Sequence, residues 1–350
     1  MNNLFKDILQ ADESLFINPI ALDYDYLPKL LPFREDNQFY LASCLKPLFY
    51  NRTGKNILVS GRPGIGKTAA CKFVIRELEQ KTDKIKPIYI NCWKKDTPHK
   101  IALEICSQIN YKWTHNKNTD TLLKEISILL NKNSAVFIFD EVDKLETEQI
   151  IYSLLEDIER KSLILITNEP SWISDIDDRV KSRLLPDHIE FKPYNYDETK
   201  EILKQRIDYA FVPGIWDEES LMLVAEKTYE LKDIRVGLFL LKEIGNIAEM
   251  NSSRKILLEH TKEAIKNLKK INLKTKFLTN EDKRILEIIK SNIEKNTTEI
   301  YQEYHKEFNK SQRTFQRRLK SLVTLNMIDL IEKYNHNKGG KEFYVKINSF

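Results

Sequence analysis

The sequence predicts an α/β fold, in which a five-stranded parallel P-loop sheet is followed by an all-helical lid and a C-terminal winged helix. Three observations predict it. Five continuous apolar runs alternate with helix-period stretches in the first 200 residues. A glycine-rich phosphate-binding motif follows the first run. The basic C-terminal part shows three amphipathic helices before two strands. We therefore expect domains over residues 1–192, 193–273 and 274–350.

The five apolar runs supply the predicted strands. They are continuous rather than alternating, which favours strands buried on both faces. They are NILVS (56–60), PIYIN (87–91), AVFIF (135–139), SLILIT (162–167) and HIEF (188–191). From Asp197 to about Lys270 the strand signal disappears and amphipathic helices replace it, which predicts the helical lid.

Composition indicates an intracellular globular chain. Apolar residues make up 41% of the 350 residues and charged residues 31%. No apolar run approaches the roughly 20 residues of a membrane span, and the first residues lack a signal-peptide pattern. The four cysteines form no CxxC pair and have no histidine nearby, so we expect reduced thiols and no zinc site. We expect a cytoplasmic protein without a membrane partner.

The net charge of +4 is unevenly distributed. Residues 251–350 carry 22 Lys and Arg against 12 Asp and Glu, a net of +10, whereas residues 1–250 carry a net of −6. A basic terminal part favours a polyanionic partner such as nucleic acid. The alternative is a solvated lysine-rich surface, and charge alone does not decide between them.

The phosphate-binding motif is GRPGIGKT, residues 61–68. Its glycines permit a tight turn and let backbone N–H groups approach phosphate oxygens, and the following helix adds its positive N-terminal end. Lys67 would bind the β- and γ-phosphates of ATP or ADP, and the Thr68 hydroxyl would ligate Mg²⁺. The residues expected to contact nucleotide here are Gly61, Pro63, Gly64, Ile65, Gly66, Lys67, Thr68 and Ala69.

Three clustered carboxylates, Asp140, Glu141 and Asp143, follow the third apolar run in VFIFDEVDKLE (136–146). Asp140 ends a buried strand at the edge where α/β sheets bind ligands, so we expect it to hold Mg²⁺. Glu141 would be the general base that polarises the attacking water. The alternative, a strand end with solvated acids, is less favoured beside a phosphate loop. Asp143 is expected to cap the following helix or to pair with Lys144 or a nearby arginine.

Polar residues further along the chain, after Asp140 and Glu141, complete the predicted ATP site. Asn168 follows the next strand and could orient the attacking water, although an Asn there is also a common turn former. Arg179 and Arg183 share one helix face, and either could complete a neighbouring subunit's site as an arginine finger. The alternative is an intramolecular ion pair with Asp175, Asp177 or Asp178. Arg235 begins a lid helix and could sense the γ-phosphate.

The third helix of the basic part, SQRTFQRRLKSLVTLNMI (311–328), is predicted to enter the major groove of DNA. Ser311 is its expected N-cap, while Phe315, Leu319 and Leu322 recur at helical spacing and should face inward. Glutamine, arginine and lysine side chains can read bases or bind phosphates. The DNA-contact candidates are Gln312, Arg313, Thr314, Gln316, Arg317 and Lys320, with Lys338, Gly339, Gly340 and Lys341 in the basic hairpin NHNKGGK (335–341) between the two predicted strands. The alternative is a protein-docking module.

These motifs resemble the AAA+ ATPases of the origin recognition complex/Cdc initiator family in its archaeal form, over nearly the whole chain. The stretches that carry the resemblance are YLPKLLPFRE (26–35), DEVDKL (140–145), RVKSRLLPDHIEFKPYNYDE (179–198) and IYQEYHKEF (300–308). The resemblance implies that Asn168 is sensor 1, that Arg235 is sensor 2 and that four residues lie near the adenine. These four are Tyr26, Leu27, Pro28 and Arg34.

The resemblance also implies a function. It implies an initiator that binds double-stranded origin DNA, uses slow ATP hydrolysis as a switch, and helps load the replicative minichromosome-maintenance helicase with a paralogous initiator subunit, at the nucleoid. Two other classes stay open: a winged-helix transcription regulator with a structural nucleotide, and a remodelling or transposition-helper ATPase.

The chain departs from the family pattern at three places. Lys232 stands where the family usually has glycine before Asp233, and Arg183 stands where archaeal members often have serine. The family's DNA-contacting insertion corresponds only to about 100–120, where Tyr111, Lys112 and Trp113 are the candidates. An ordinary helix and loop is the alternative there.

Overall fold

The computed structural model describes residues 14–270, 280–291, 296–308, 310–324, 327–335 and 340–347. The chain divides into two compact units, residues 1–261 and 262–350. The three-domain division at 192 and 273 stays a prediction.

A five-stranded sheet forms the centre of the first unit. Its strands are β1 (Ile57–Gly61), β2 (Ile85–Asn91), β3 (Ser134–Asp140), β4 (Lys161–Thr167) and β5 (Asp187–Phe191). Every pairing is parallel, and the order is β2-β3-β4-β1-β5. The predicted parallel five-stranded sheet is confirmed, and each apolar run matches one of these strands, except that the first run begins one residue before β1.

Helices cover both faces of the sheet, which explains the continuous apolar runs. On β3, Phe137 and Phe139 pack into one hydrophobic cluster, whereas Val136 and Ile138 pack into another, together with Ala70 of the helix after the phosphate loop. Side chains alternate along a strand. Asp140 therefore points to the same face as Val136 and Ile138, the face that carries the phosphate-loop helix.

Eleven helices lie in residues 14–270, where the first seven connect the strands or cover the sheet. In chain order they are α1 (Glu35–Leu45), α2 (Lys67–Lys81), α3 (Pro98–Gln108), α4 (Thr119–Leu130), α5 (Gln149–Asp157), α6 (Trp172–Asp175), α7 (Asp178–Leu184), α8 (Tyr196–Ala210), α9 (Glu218–Leu231), α10 (Ile234–Met250) and α11 (Leu258–Lys270). Short 3₁₀ turns occupy Pro19–Leu22, Lys46–Tyr50 and Val142–Lys144. Helices α8 to α11 lie in residues 193–273, the range predicted for the helical lid.

The lid helices begin with local capping interactions. Asn195 and Glu198 form a capping box at the start of α8, in which each side chain accepts a hydrogen bond from the other residue's backbone N–H. Asp233 caps α10 by accepting a hydrogen bond from the backbone N–H of Arg235. The sequence thus fixes where α10 begins, and with it the position of Arg235.

The second unit contains the predicted winged helix. Its elements are α12 (Asn280–Ser291), α13 (Thr297–Phe308), α14 (Gln312–Thr324), β6 (Ile328–Asn335) and β7 (Gly340–Ile347). Strands β6 and β7 pair antiparallel. Phe315, Leu319 and Leu322 are buried, as predicted, and the Ser311 hydroxyl accepts a hydrogen bond from the Thr314 N–H at 3.4 Å as the expected N-cap. The hairpin candidates Lys338 and Gly339 lie outside the described residues.

Within the described part of the chain, no helix has the length and apolar character needed to cross a membrane.

Candidate ATP and DNA sites

The phosphate loop joins β1 to α2, as the motif predicts. Gly61, Gly64 and Gly66 have φ values of 144°, 74° and 89°, which favour glycine. A Cβ on Gly61 would lie 2.6 Å from the carbonyl oxygen of Phe191, and one on Gly66 would lie 2.9 Å from the Tyr194 hydroxyl. The loop thus needs glycine for both its backbone conformation and its close packing.

Lys67 is buried at the first position of α2. Its Nζ donates hydrogen bonds of 2.8 Å to the carbonyls of Gly61 and Arg62 and to Oδ1 of Asn168. Burial lowers the pKa of Lys67 to about 8, against the opposing attraction of Asp140. The structure therefore brings the predicted phosphate-binding lysine and the predicted sensor 1 into direct contact.

Asp140 accepts two hydrogen bonds on one carboxylate oxygen. The Thr68 hydroxyl donates to its Oδ2 at 2.9 Å and the Tyr89 hydroxyl at 2.6 Å. A hydroxyl and a carboxylate are hard oxygen donors of the kind that Mg²⁺ prefers. The predicted metal ligands Thr68 and Asp140 therefore lie together in a form that fits this ion.

Tyr89 was missed by sequence reasoning. It lies opposite Ile138 in the register of β2 with β3, and so faces the same side as Asp140. Burial and the Asp140 carboxylate raise its pKa, which keeps the phenol protonated as a donor. The Lys72 ammonium lies 4.5 Å from the centre of its ring. Only the strand order reveals this contact.

Glu141 adopts the left-handed backbone conformation, with φ of 56°. Burial raises the pKa of its carboxyl, and the neighbouring charges of Asp140 and Asp143 raise it further, whereas Lys144 and Arg235 lower it. A carboxylate with a raised pKa is a better proton acceptor, as a general base requires.

Asp143 forms the expected ion pair with Lys144. It also accepts a hydrogen bond of 2.9 Å from the hydroxyl of Thr167, at the end of β4. This second contact was not predicted, because it depends on the pairing of β3 with β4.

Arg235 lies at the start of α10 and is held by Asp233. Its Nε and Nη2 donate to the two carboxylate oxygens of Asp233 at 3.1 and 3.0 Å. Lys232 adopts φ of 54°, so the residue before Asp233 is left-handed here although it is lysine. The Ile234 N–H donates to the carbonyl of Gly64 at 3.1 Å, so the lid contacts the phosphate loop directly.

The two arginine-finger candidates differ in their surroundings. Arg183 donates to both carboxylate oxygens of Glu156 and lies 5.0 Å from the centre of the Tyr152 ring. Arg183 thus forms an intramolecular ion pair, as the alternative predicted. Its partner is Glu156, so the predicted partners Asp175, Asp177 and Asp178 were wrong. The Arg179 side chain is exposed and forms no ion pair with any residue that the structure describes.

Arg34 is buried beside the phosphate loop rather than free for a ligand. Its Nη2 donates to the carbonyls of Ile65 and Lys192 at 3.0 and 2.8 Å, and its guanidinium stacks on Tyr194 at 3.8 Å. It therefore joins the loop to the segment that leads into the lid.

The other adenine candidates lie in the same N-terminal segment. Pro28 is buried, and Tyr26 and Leu27 are half-buried. Arg206 of α8 donates to the Tyr26 carbonyl at 3.5 Å, and Arg76 of α2 donates to the Pro28 carbonyl at 3.2 Å. The segment is thus attached to both the lid and the sheet domain.

The predicted DNA-contact face of α14 is exposed. Exposed candidates on this helix are Gln312, Arg313, Gln316, Arg317 and Lys320, and Thr314 is half-buried. Arg318, on another face, pairs with Asp282 and Glu281 at 3.2 and 3.1 Å. Its charge thus attaches α14 to α12, while Arg313 and Arg317 point away from the core. Gly340 and Lys341, two of the hairpin candidates, are the first two residues of β7.

The three insertion candidates follow α3. Tyr111 is half-buried, packs against the core and accepts a hydrogen bond from Lys117, whereas Lys112 is exposed and Trp113 is 79% exposed. A loop between two ordinary helices occupies this stretch.

A phosphate loop, an acidic strand end and a helical lid on this sheet define a P-loop ATPase of the AAA+ class. The AAA domain model matches residues 51–168, and the Cdc6 AAA+ ATPase-type lid domain model matches residues 200–266. The chain is 30% identical to the ORC1-type DNA replication protein 2 of Methanosarcina mazei, over 93% of this chain and 91% of that protein. It is 29% identical to the ORC1-type DNA replication protein of Pyrococcus abyssi, over 99% and 90%. The chain belongs to the family of ORC1-type DNA replication proteins.

Solved structures share the fold. The Aeropyrum pernix ORC1 protein, solved in complex with DNA, matches with a TM-score of 0.78 and 24% identity, over 97% of this chain and 95% of that one. The Aeropyrum pernix ORC2 protein, solved as ADPNP-ADP complexes, matches with a TM-score of 0.66 and 20% identity, over 95% and 94%.

Proposed function

We propose that this protein is an ATP-dependent initiator of DNA replication, which binds duplex origin DNA through its winged helix and uses ATP binding and slow hydrolysis as a switch. The main support for this proposal is the arrangement of the ATP site. Lys67 donates a hydrogen bond of 2.8 Å to Asn168, and Thr68 donates one of 2.9 Å to Asp140. Family membership supports the role in replication, and relatives of this fold were solved with DNA and with nucleotide.

The phosphate loop supplies the binding step. Phosphate oxygens would replace the carbonyls of Gly61 and Arg62 as acceptors for the Lys67 ammonium, while Asn168 keeps its bond to Lys67. Mg²⁺ held by Thr68 and Asp140 would neutralise charge on the β- and γ-phosphates. Tyr26, Leu27 and Pro28 would border the base, and Arg34 would act through the loop that it holds.

The hydrolysis step needs a base and an orienting group. Glu141 would take a proton from the attacking water, and its raised pKa makes it a stronger base. Asn168 would orient that water from the adjacent strand end. Arg235 would exchange its ion pair with Asp233 for the γ-phosphate, and this exchange would slow turnover and couple the nucleotide state to the lid.

The partners follow from exposed cationic residues. Arg313 and Arg317 on α14 would bind phosphates or guanine edges of duplex DNA. The exposed Arg179 would complete the ATP site of a paralogous initiator subunit. On family membership we propose that the complex recruits the replicative minichromosome-maintenance helicase and works at the nucleoid in the cytoplasm.

Equilibrium ATP binding and turnover of Lys67→Ala test the site. Lys72→Ala is the matched control, since it removes a lysine of the same helix that contacts Tyr89 rather than the phosphate loop. We expect Lys67→Ala to lose ATP binding or to slow turnover by at least about 100-fold, and Lys72→Ala to stay within about threefold of the unaltered protein. Unchanged binding and turnover in Lys67→Ala would remove the assignment.

A further inference from the structure

Asp143, the last residue of the segment DEVD (140–143), has an almost fully buried side chain. Only 1% of the Asp143 side chain is exposed. A buried carboxylate requires compensating partners, because burial removes the water that would otherwise stabilise its charge. Asp143 has two partners, the ammonium of Lys144 and the hydroxyl of Thr167. Such a compensated group has a defined position, so it can hold other groups in place.

The Thr167 hydroxyl joins Asp143 to the turn that carries Asn168. Its oxygen accepts a hydrogen bond from the Glu169 N–H at 2.9 Å, while its proton points to Oδ1 of Asp143 at 2.9 Å. The Glu169 carbonyl is a more distant acceptor at 3.2 Å. The hydroxyl of Thr167, the residue before Asn168, therefore bonds to Glu169, the residue after it, and the Asp143 carboxylate fixes the direction of that hydroxyl.

Asn168 contacts the phosphate-binding lysine from this turn. Its Oδ1 accepts a hydrogen bond from Nζ of Lys67 at 2.8 Å. Its backbone direction depends on residues 167 and 169, which are joined through the Thr167 hydroxyl. A small rotation of this turn would move the amide away from Lys67, and catalytic groups need placement to within about 0.5 Å.

We propose that Asp143 is a positioning residue for Asn168: its carboxylate orients the Thr167 hydroxyl, which holds the turn that presents the Asn168 amide to Lys67 and the attacking water. The proposal rests on the proposed ATPase function of this site. Asp143 itself contacts neither Lys67 nor Thr68 among the hydrogen bonds of the described residues. The charge of Asp143 also acts directly on Glu141 and Lys67. Its hydrogen bond acts on Asn168 through Thr167, and the Thr167 substitutions isolate this second route because they leave the charge in place.

Paired substitutions at Thr167 separate positioning from general stability. Thr167→Val removes the hydroxyl and keeps the shape, whereas Thr167→Ser keeps the hydroxyl. We expect Asp143→Ala and Thr167→Val to slow ATP turnover about tenfold with ATP affinity within about twofold, and Thr167→Ser to retain turnover. Ser162→Ala is the control, because it removes a buried hydroxyl from the other end of β4.

Hydrogen exchange gives a readout that does not depend on activity. Backbone amides of residues 161–170 should exchange faster in Asp143→Ala and Thr167→Val than in the unaltered protein and Thr167→Ser. Equal exchange in all four proteins, or a Thr167→Ser variant as slow in turnover as Thr167→Val, would overturn the proposal.

A double substitution tests whether Asp143 acts through Asn168. In an Asn168→Ala background, adding Thr167→Val, which removes the link from Asp143 to the turn, should change turnover less than about twofold, because the amide that the turn presents is already absent. Additive losses would overturn the positioning role and leave the proposed ATPase intact. Turnover unchanged by Asn168→Ala alone would overturn the role proposed for Asn168, and the inference with it.

Discussion

The Asp233 carboxylate lies directly against the Cα of Gly64, so that a Cβ on Gly64 would be 1.8 Å from its Oδ1. The lid and the phosphate loop thus meet at these two residues, and the Ile234 N–H to Gly64 carbonyl hydrogen bond lies beside them. Only glycine at position 64 allows this approach. The same carboxylate caps α10 and holds Arg235. One acidic residue therefore links the loop, the lid helix and the proposed sensor arginine.

Substitutions of Asp233 should separate helix capping from the restraint on Arg235. Asparagine can keep the cap but loses the ion pair, whereas alanine loses both. We expect Asp233→Ala to lower the unfolding free energy by about 1 kcal/mol, which corresponds to a melting temperature lower by roughly 2–4 °C for a unit of this size. Asp233→Asn should unfold near the temperature of the unaltered protein. Thermal unfolding checks this, and equal losses in both variants would contradict it.

The lowered pKa of Lys67 predicts a pH-dependent ATP affinity. Its pKa of about 8 means that the ammonium loses its proton in the nucleotide-free protein as pH rises past that value. ATP affinity should then fall above that pH, by up to about tenfold per pH unit, because phosphates bind the charged form. Titrations between pH ~7 and ~9.5 measure this. Constant affinity across that range in the unaltered protein would contradict it.

The lowered pKa of Lys67 also predicts that the stability of the fold rises with pH, whereas ATP affinity falls. The folded-state pKa of Lys67 lies below the ordinary value of 10.5, so the unfolded chain binds more protons between these two values. Below about pH 8 the buried charge of Lys67 therefore destabilises the folded protein. This destabilisation becomes smaller as pH rises from about 8 toward 10.5. Lys67→Met should remove this dependence, which chemical denaturation at several pH values can measure.

The surroundings of the two finger candidates predict different effects in an assembled complex. Arg179 is exposed without an ion-pair partner in the described structure, whereas Arg183 must first leave Glu156. We expect Arg179→Ala to reduce assembly-dependent ATP turnover by about 10³-fold and Arg183→Ala to reduce it less. Turnover by the isolated chain should change in neither variant. A larger loss in Arg183→Ala would reverse the assignment.

The exposed face of α14 predicts a salt-dependent interaction with duplex DNA. Arg313→Ala combined with Arg317→Ala should weaken binding and reduce the slope of log affinity against log salt by about 2, if both arginines contact phosphates. Lys306→Ala, an exposed lysine of α13, is the control for a lost surface charge. Fluorescence anisotropy at several salt concentrations measures the slope. A slope that stays unchanged in the double variant would place the DNA contact elsewhere.

The strands and the phosphate loop were predictable because their signals are local. Strands buried on both faces require continuous apolar runs, and the loop requires glycine at fixed spacing before a helix. The position of Asp140 followed from the end of such a run. The buried face of α14 followed from helical spacing in the same way, since Phe315 and Leu319 are one turn apart.

The contacts between distant elements were not predictable. Tyr89 reaches Asp140 only because β2 lies beside β3, and Thr167 reaches Asp143 only because β4 lies on the other side. Strand order depends on how the helices cross the sheet, which no short motif encodes. Arg183 pairs with Glu156 for the same reason, across α5 and α7, instead of with aspartates nearby in sequence.

Footprinting on genomic DNA, with and without ATP, tests the central claim most directly. The claim predicts protection of one or a few repeated sites at a replication origin, with an extent that changes when ATP is added. Lys67→Ala should bind these sites without any response to ATP, and Arg313→Ala with Arg317→Ala should lose the protection. Protection spread over promoters, identical with and without ATP, would contradict the claim and indicate a transcription regulator with a structural nucleotide.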